Sequence, residues 1–431
     1  MNIIETAAEA KSASVRLAAV KSEVKNRALA EIANALKERS RHIVSANKED
    51  IETAVKSNLS PPLLKRLKFD ENKIDEVCAG IESLVKLDDP VGQTISGMEL
   101  DRGLELYKVS CPIGVIGVIF ESRPDALVQI STLCLKSGNA VLLKGGSEAK
   151  NTNEILAEII TEATEKAGIP GGWLQLLHRR QDVAEMLALD DYIDLVIPRG
   201  SNEFVRYIMD NTNIPVLGHA DGICHVYVDG QADLEMAVNI VVDSKCQYVA
   251  VCNAAETLLV DEKIAEIFLP KVHSVLERKG VELRGCDKTG SIINVKPGTD
   301  EDWSAEYLDY VLAVMVVSGV DEAIEHINRY GSGHTDSIVT ADKKTAARFM
   351  DLVDSGNVFW NCSTRFSDGF RYGLGAEVGI STNKIHARGP VGLEGLLIYK
   401  WKLIGKGQIA GDYAGGKKSF THKKLKKDFK I

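Results

Sequence analysis

The sequence lacks the features that mark secreted or membrane-spanning proteins. Its eight cysteines include no Cys-x-x-Cys pair, and a chain of 431 residues does not need a disulfide framework to fold. No apolar run approaches the ~18 residues of a membrane helix, and the N-terminal segment has no basic stretch followed by an apolar one. These absences predict a protein of a reducing compartment, the cytoplasm, with no membrane partner.

An excess of positive charge is also missing. Lys and Arg number 52 against 61 Asp and Glu, which gives a net charge of −9 at pH 7. Because such a chain repels the phosphate backbone, nucleic acid is a poor candidate for a partner. The length indicates two or three domains, since a single core stops growing well before this size.

Glycine is absent before Gly80, and the first sixty residues are rich in Ala, Glu, Lys and Arg. Apolar residues recur there at steps of three and four, which is the pattern of a helix with one buried face. The proline pair at 61–62 breaks that run. These features predict a helical layer of about 90 residues.

Strand and helix patterns alternate in the rest of the chain. Short apolar runs at 113–120 and 140–143 precede a helical pattern at 151–167, and residues 194–217 repeat the strand–helix–strand order. A second alternating series runs from 223 to 360. Such alternation predicts two doubly wound α/β domains, which we expect to join near residue 220.

The usual glycine-rich dinucleotide fingerprint is missing, but two other features point to a nucleotide. Gly200 and Ser201 follow a predicted strand and open a predicted helix, whose N-terminus favours a phosphate. An ordinary turn with Ser201 as N-cap explains them equally well. Lys144 ends another predicted strand, where open α/β sheets bind ligands, although a solvated strand end is the commoner explanation for a lysine in this position.

A nucleophile is suggested by the cysteines near the middle of the chain. Cys252 lies on a connection between a predicted helix and the strand at 256–260, with Asn253 beside it as a possible hydrogen-bond donor. Most cysteines are inert and buried, however, and Cys246 shares this neighbourhood. Local chemistry alone leaves the choice between the two open.

Several segments, in the same order, resemble the gamma-glutamyl phosphate reductase branch of the aldehyde dehydrogenase superfamily. They are residues 120–125, 138–148, 214–222, 244–260, 361–366 and 373–390, and the resemblance extends to 419–423. It implies an α/β, aldehyde dehydrogenase-like fold of two doubly wound α/β domains with a small oligomerisation hairpin. The implied parts are an NADP-binding domain (1–99 and 113–222), a catalytic domain (223–394), an oligomerisation arm (100–112 with 395–415) and a basic C-terminal tail (416–431), which we expect to be solvated.

The resemblance also implies roles for individual residues. Cys252 matches the thiol that attacks the acyl carbon, with Asn253 as a candidate helper for the oxyanion. Lys144 matches a lysine that contacts the adenosine ribose. Ser147 stands where NAD-preferring relatives often carry an acid, which favours NADPH.

Further matches concern the rest of the cofactor and the substrate. Gly200 and Ser201 match the turn that meets the pyrophosphate, and Glu306 matches a glutamate that holds the nicotinamide ribose. A doubly anionic substrate calls for cations and hydroxyl donors. The candidates for substrate binding are Arg123, Ser363, Thr364, Arg365 and Arg388. Each arginine serves equally well in a surface ion pair, and no metal site is predicted.

Two departures from the superfamily bear on the reaction. Its tryptophan–asparagine–phenylalanine segment is replaced by residues 121–123, so the side-chain oxyanion donor is absent or supplied by Ser122. The glutamate base of hydrolytic relatives is also missing, and residues 219–222 with His219 hold its place. An acyl phosphate needs no such base, since phosphate leaves by itself.

The resemblance therefore implies NADPH-dependent reduction of L-glutamyl 5-phosphate to the 5-semialdehyde, a step of proline biosynthesis. It also implies a homo-oligomer and contact with the upstream glutamate kinase. A hydrolytic or CoA-acylating aldehyde dehydrogenase is the alternative enzyme. A non-catalytic nucleotide-binding scaffold is the alternative of another class, and Cys252, Lys144 and Glu306 together argue against it.

Overall fold

The computed structural model describes residues 2–179, 181–219 and 221–430. The chain forms two compact units. Unit 1 comprises the residues up to Gly200, the segment Tyr207–Val216 and the residues from Gly392 onward, and unit 2 comprises Ser201–Arg206 and Leu217–Val391. The eight cysteines form no disulfide in the described parts of the chain.

Helices and strands alternate along most of the chain. The helices are α1 (Ile3–Leu17), α2 (Ser22–Glu38), α3 (Ser40–Lys56), α4 (Pro61–Leu67), α5 (Glu71–Lys86), α6 (Pro124–Ser137), α7 (Lys150–Lys166), α8 (Asp182–Leu187), α9 (Asn202–Asp210), α10 (Leu234–Cys246), α11 (Glu262–Arg278), α12 (Asp287–Gly290), α13 (Val320–Tyr330), α14 (Lys343–Leu352) and α15 (Ala410–Ala414). The strands are β1 (Thr94–Asp101), β2 (Leu104–Pro112), β3 (Val115–Phe120), β4 (Ala140–Gly145), β5 (Leu174–Leu177), β6 (Leu195–Arg199), β7 (Cys224–Val228), β8 (Ala255–Asp261), β9 (Glu282–Gly285), β10 (Lys296–Pro297), β11 (Val311–Val317), β12 (Thr335–Val339), β13 (Asn357–Trp360), β14 (Gly379–Ser381), β15 (Gly389–Val391), β16 (Leu397–Ile404) and β17 (Lys423–Leu425).

Unit 1 begins with the helical layer that the sequence predicts. Helices α1 to α5 precede a parallel sheet of order β5-β4-β3-β6, whose central strands β3 and β4 are buried along their whole length. The proline pair ends the helical run as predicted. Pro61 then opens α4, because the first position of a helix needs no backbone N–H.

A second sheet of unit 1 is antiparallel, with strand order β16-β2-β1-β17. The two segments predicted to form the arm do pair, from Leu397 opposite Pro112 to Ile404 opposite Glu105. The lysine-rich tail is more ordered than we expected. Its strand β17 pairs with β1, although the paired Lys423 and Lys424 stay exposed.

Unit 2 is built on a parallel sheet of order β10-β9-β11-β8-β7-β12-β13. One face packs against α10 and α11, and the other packs against α13 and α14. Helices on both faces make this unit doubly wound, as predicted.

The sequence pattern of residues 194–217 predicts a second strand at 214–217, in unit 1, and this prediction is wrong. Only a single bridge between Val196 and Val216 forms there.

Among the helices of the described residues, none has the length and apolar character that crossing a lipid bilayer requires.

Candidate active site

Cys252 lies in the loop between α10 and β8, within unit 2. Its side chain is half-buried. Cys246, by contrast, is the last residue of α10 and packs against the hydrophobic cluster beneath the sheet. Burial raises the pKa of the Cys246 thiol, which disfavours the reactive thiolate. The structure thus separates two cysteines that local sequence could not distinguish.

A buried ion pair joins the two ends of the segment that carries Cys252. Lys245 Nζ lies 2.5 Å from Glu256 Oε2, and neither side chain is exposed to solvent. Burial raises the pKa of Glu256 to about 7, although the charge of Lys245 opposes that rise. Since α10 ends next to Lys245 and β8 begins next to Glu256, the pair fixes both ends of the loop.

Three predicted site residues meet around this loop and brace it. The Thr364 hydroxyl donates to the Asn253 carbonyl at 2.7 Å, and the Asn253 amide donates to the Ser367 carbonyl at 2.7 Å. Ser363 Oγ accepts from the Ser244 hydroxyl at 3.1 Å. The side chains that form these hydrogen bonds are all buried. The direct roles of Asn253 at the oxyanion and of Ser363 and Thr364 at the substrate stay predictions.

Gly222 packs directly against the backbone of Cys252. A Cβ atom at this position would collide with the carbonyl oxygen and the Cα of Cys252, so only glycine is compatible with the approach. The same carbonyl oxygen accepts from the Cys224 thiol at 3.2 Å. The sequence shows Gly222 as a loop glycine, and its contact with a residue thirty positions away has no local signal.

Two histidines stand beside Cys252. One ring nitrogen of His219, one of His334 and the Cys252 sulfur all lie within 4.8 Å of one another. The two rings meet edge to face, with centroids 4.9 Å apart. His219 was predicted to occupy this neighbourhood, whereas His334, which directly precedes β12, was missed because nothing in its local sequence points to a site.

The surroundings of the histidines determine their charge and tautomer. His219 Nδ1 lies 2.8 Å from the Ile380 carbonyl oxygen, which can only accept, so Nδ1 carries the proton. His334 is fully buried, and this burial, together with the nearby His219, lowers its pKa well below the ordinary histidine value. His334 is therefore neutral at physiological pH.

Arg365 brings a positive charge close to the sulfur. It is buried, and its Nε donates to the Gln247 side chain at 2.9 Å. Burial and the charge of Arg371 lower the pKa of the Arg365 guanidinium, while negative charge on Cys252 raises it. That coupling works in both directions, so the guanidinium favours the thiolate form of Cys252.

Arg388 and Arg123 are the other two predicted arginines. Arg388 donates through Nη1 to the Asp354 carboxylate at 3.0 Å and through Nε to the Thr382 carbonyl at 3.2 Å. Arg388 therefore does form an ion pair, the alternative to substrate binding. Arg123 precedes α6 in unit 1. Substrate binding by either arginine stays a prediction.

The predicted adenosine-ribose residues lie at the carboxyl end of β4. Lys144 is buried, and its Nζ donates to the Gly145 carbonyl at 2.5 Å. Ser147 is exposed at the turn that follows. Glu148 beside it accepts from both the backbone and the hydroxyl of Ser122, at 2.5 and 2.8 Å. The Ser122 hydroxyl, one possible oxyanion donor, is thus bonded to a carboxylate.

Gly200 and Ser201 form the turn between β6 and α9, and both are exposed. The Ser201 carbonyl accepts from Val205, which makes Ser201 the last residue before the helix. Asn202, the next residue, donates to the carboxylate of Glu306. The structure therefore brings predicted Glu306 to the N-terminus of α9, and burial raises the pKa of its carboxyl.

A comparison with known families defines the class of this protein. The model of the aldehyde dehydrogenase family matches residues 1–297 and 291–373. The chain belongs to the aldehyde dehydrogenase family, which confirms the fold class and the enzyme class predicted from sequence.

Individual relatives narrow the class. The chain is 67% identical to the gamma-glutamyl phosphate reductase of Acetivibrio thermocellus and 66% identical to that of Pelotomaculum thermopropionicum, in each case over 431 residues, which are 100% of this chain and 100% and 99% of the relatives. The crystal structure of the Thermotoga maritima enzyme of the same name matches with a TM-score of 0.93 at 42% identity, over 95% of this chain and 100% of that one. Within the larger family, the chain belongs to the gamma-glutamyl phosphate reductases, as the resemblance indicated.

The Lys245–Glu256 pair generates a stability prediction. Glu256→Gln leaves a buried lysine without its counter-charge, so we expect the free energy of unfolding to fall by about 3–5 kcal/mol in denaturant titrations above pH 7. Asp321→Asn breaks the exposed Arg348 pair and should cost no more than ~1 kcal/mol.

The double variant Lys245→Met with Glu256→Leu removes both charges and should recover most of that loss. A double variant as unstable as Glu256→Gln would show that the uncompensated charge is not the cause.

Proposed function

We propose that this enzyme reduces L-glutamyl 5-phosphate to L-glutamate 5-semialdehyde with NADPH and releases phosphate, through a thioester on Cys252. The observation that carries the proposal is the setting of Cys252, beside two histidines and the buried Arg365 guanidinium. Relatives of 67% and 66% identity that bear the name gamma-glutamyl phosphate reductase support the choice of substrate.

In the first half of the reaction, the Cys252 thiolate attacks the acyl carbon of the substrate. A carbon–sulfur bond forms, and the carbon–oxygen bond to phosphate breaks with its electron pair on the phosphate oxygen. The positive charge of Arg365 favours the thiolate form of the sulfur before the attack. The braced loop of Asn253 and Thr364 keeps the sulfur in place, which lowers the entropic cost of reaching the carbon.

In the second half, the thioester becomes an aldehyde. NADPH, when bound, supplies the hydride that this reduction consumes. The carbon–sulfur bond then breaks and returns the electron pair to Cys252. The Arg365 charge that stabilised the thiolate before attack also stabilises it as a leaving group.

The residues of the predicted cofactor site suit NADPH. Lys144 is buried with an ammonium group at the carboxyl end of a parallel strand, and the small, exposed Ser147 three residues further on would leave room for a 2′-phosphate. The nearest acid in sequence, Glu148, is held by Ser122. Gly200 and Ser201 at α9 would meet the pyrophosphate, and Glu306 would hold the nicotinamide ribose.

Cationic side chains suit the anionic groups of the substrate. Arg365 would bind one of these groups, with Arg123 and Arg388 as further candidates.

We expect residues 1–99 with 113–222 to form the NADP-binding domain and 223–394 the catalytic domain. The arm (100–112 with 395–415) would support a homo-oligomer, with exposed Tyr399, Trp401 and Leu403 on β16 as contact residues. We also propose a cytoplasmic enzyme that receives its labile acyl phosphate from the upstream glutamate kinase.

The reverse reaction tests the mechanism most sharply. Because His219 stands where hydrolytic relatives have a glutamate base, the thioester on Cys252 should react slowly with water and rapidly with phosphate. Oxidation of glutamate semialdehyde with NADP⁺ should then require phosphate, and arsenate should replace it because it attacks the same carbon.

Sulfate at equal ionic strength is the control, and it should give no oxidation. Rapid oxidation in buffer free of phosphate would contradict the proposal and favour the hydrolytic alternative. Oxidation that requires coenzyme A would favour the acylating alternative.

Cofactor preference gives a second test. Ser147→Glu puts a carboxylate where we place the 2′-phosphate, and like charges near a protein surface repel by up to ~4 kcal/mol at 4 Å. We expect the ratio of kcat/KM for NADPH to that for NADH to fall at least about tenfold. Ser147→Gln introduces a side chain of the same size as glutamate but without its charge, so it should change the ratio far less. Equal ratios in the Glu and Gln variants would refute this placement of the 2′-phosphate.

A further inference from the structure

The sulfur and the two histidine nitrogens beside it form a set of metal ligands that the proposed reaction does not use as such. Cys252 Sγ and one ring nitrogen each of His219 and His334 lie within 4.8 Å of one another. Thiolate sulfur and imidazole nitrogen are the ligands that Zn²⁺ prefers, at ~2.0–2.3 Å from the metal. A cation placed among them would draw each ligand in by only a small movement.

His334 provides an independent sign of a ligand. Its Nε2 is buried and has no hydrogen-bond partner in the described parts of the chain, while its Nδ1 lies 2.8 Å from the Thr335 hydroxyl. A buried polar atom without a partner is costly and calls for an explanation. With the ring proton on Nδ1, directed at the Thr335 hydroxyl, Nε2 has a lone pair that a cation can take.

His219 is oriented as metal-binding histidines usually are. Its Nδ1 donates to the Ile380 carbonyl oxygen at 2.8 Å, which leaves Nε2 with the lone pair. A backbone carbonyl behind the ring is a common support for a histidine ligand, since it fixes both the tautomer and the ring orientation. The supporting contact therefore exists before any metal arrives.

The ligand set favours reversible binding over a structural metal. Closed structural sites have four protein ligands, whereas three leave one position for water or another small ligand. The nearby Arg365 guanidinium also repels a cation, which weakens binding.

We infer that Cys252, His219 and His334 form a reversible inhibitory site for a soft divalent cation such as Zn²⁺. In binding, the Cys252 thiol loses its proton to solvent and a sulfur–metal bond forms, with no change of oxidation state. The metal then occupies the electron pair that acylation requires. Inhibition rests on the proposed role of Cys252 as nucleophile, but metal binding does not.

Cobalt(II) is the probe for binding, because a thiolate ligand gives it a charge-transfer absorption in the near ultraviolet. Titration of the full-length protein should produce this band, and Zn²⁺ should abolish it. Cys252→Ser should lack the band, whereas Cys246→Ala should keep it. His219→Gln and His334→Gln should each weaken cobalt binding at least about tenfold, the scale that even a supporting residue contributes to metal affinity.

His219 is only half-buried, so its variant tests the site if His334→Gln does not fold. Absence of the band, its persistence in Cys252→Ser, or undiminished affinity in His219→Gln would overturn the site. Zn²⁺ should also inhibit the reductase, with recovery on adding EDTA. Zinc bound at this site with full activity would overturn the inhibitory role, while activity in Cys252→Ser would instead refute the proposed nucleophile.

Discussion

The buried ion pair between Lys245 and Glu256 is the contact on which the geometry of the site depends most. A loop that carries a nucleophile has few backbone hydrogen bonds of its own, so its ends must be fixed from outside. The pair joins the last turn of α10 to the first residues of β8, at 2.5 Å and without exposure. Such pairs contribute little net stability compared with apolar residues of similar volume, but the loss of one partner leaves the other charge buried and uncompensated.

Around this fixed loop, electrostatic features favour a reactive sulfur. Arg365 stabilises negative charge on Cys252, while burial keeps His334 neutral. Gly222 allows the neighbouring loop to approach the Cys252 backbone, and the Cys224 thiol bonds its carbonyl oxygen. Catalysis by a thiolate and affinity for a soft metal follow from the same surroundings, because both need an exposed electron pair on sulfur.

The sequence predicts the fold well and the site unevenly. Helix and strand periodicity identified the helical layer, three of the four strands of the first parallel sheet and the helix that begins at Asn202, because these patterns are local. In the second parallel sheet it located β7, β8 and β13, three of seven strands. The segments that resemble the gamma-glutamyl phosphate reductases, which occur in the same order as in that family, identified Cys252. His334 and the bracing role of Thr364 could not be found this way, because their contacts to the loop span 82 and 111 positions of sequence and depend on sheet packing.

The central claim is a covalent thioester on Cys252, and mass spectrometry of the trapped enzyme tests it directly. The protein is incubated with glutamate semialdehyde and NADP⁺ without phosphate, quenched in acid and fragmented along the chain. We predict one glutamyl group, bound as a thioester to Cys252, with Cys246 unmodified. This glutamyl group should be lost when phosphate is added before quenching. An enzyme that turns over under these conditions with no adduct, or with the adduct on another cysteine, would contradict the account.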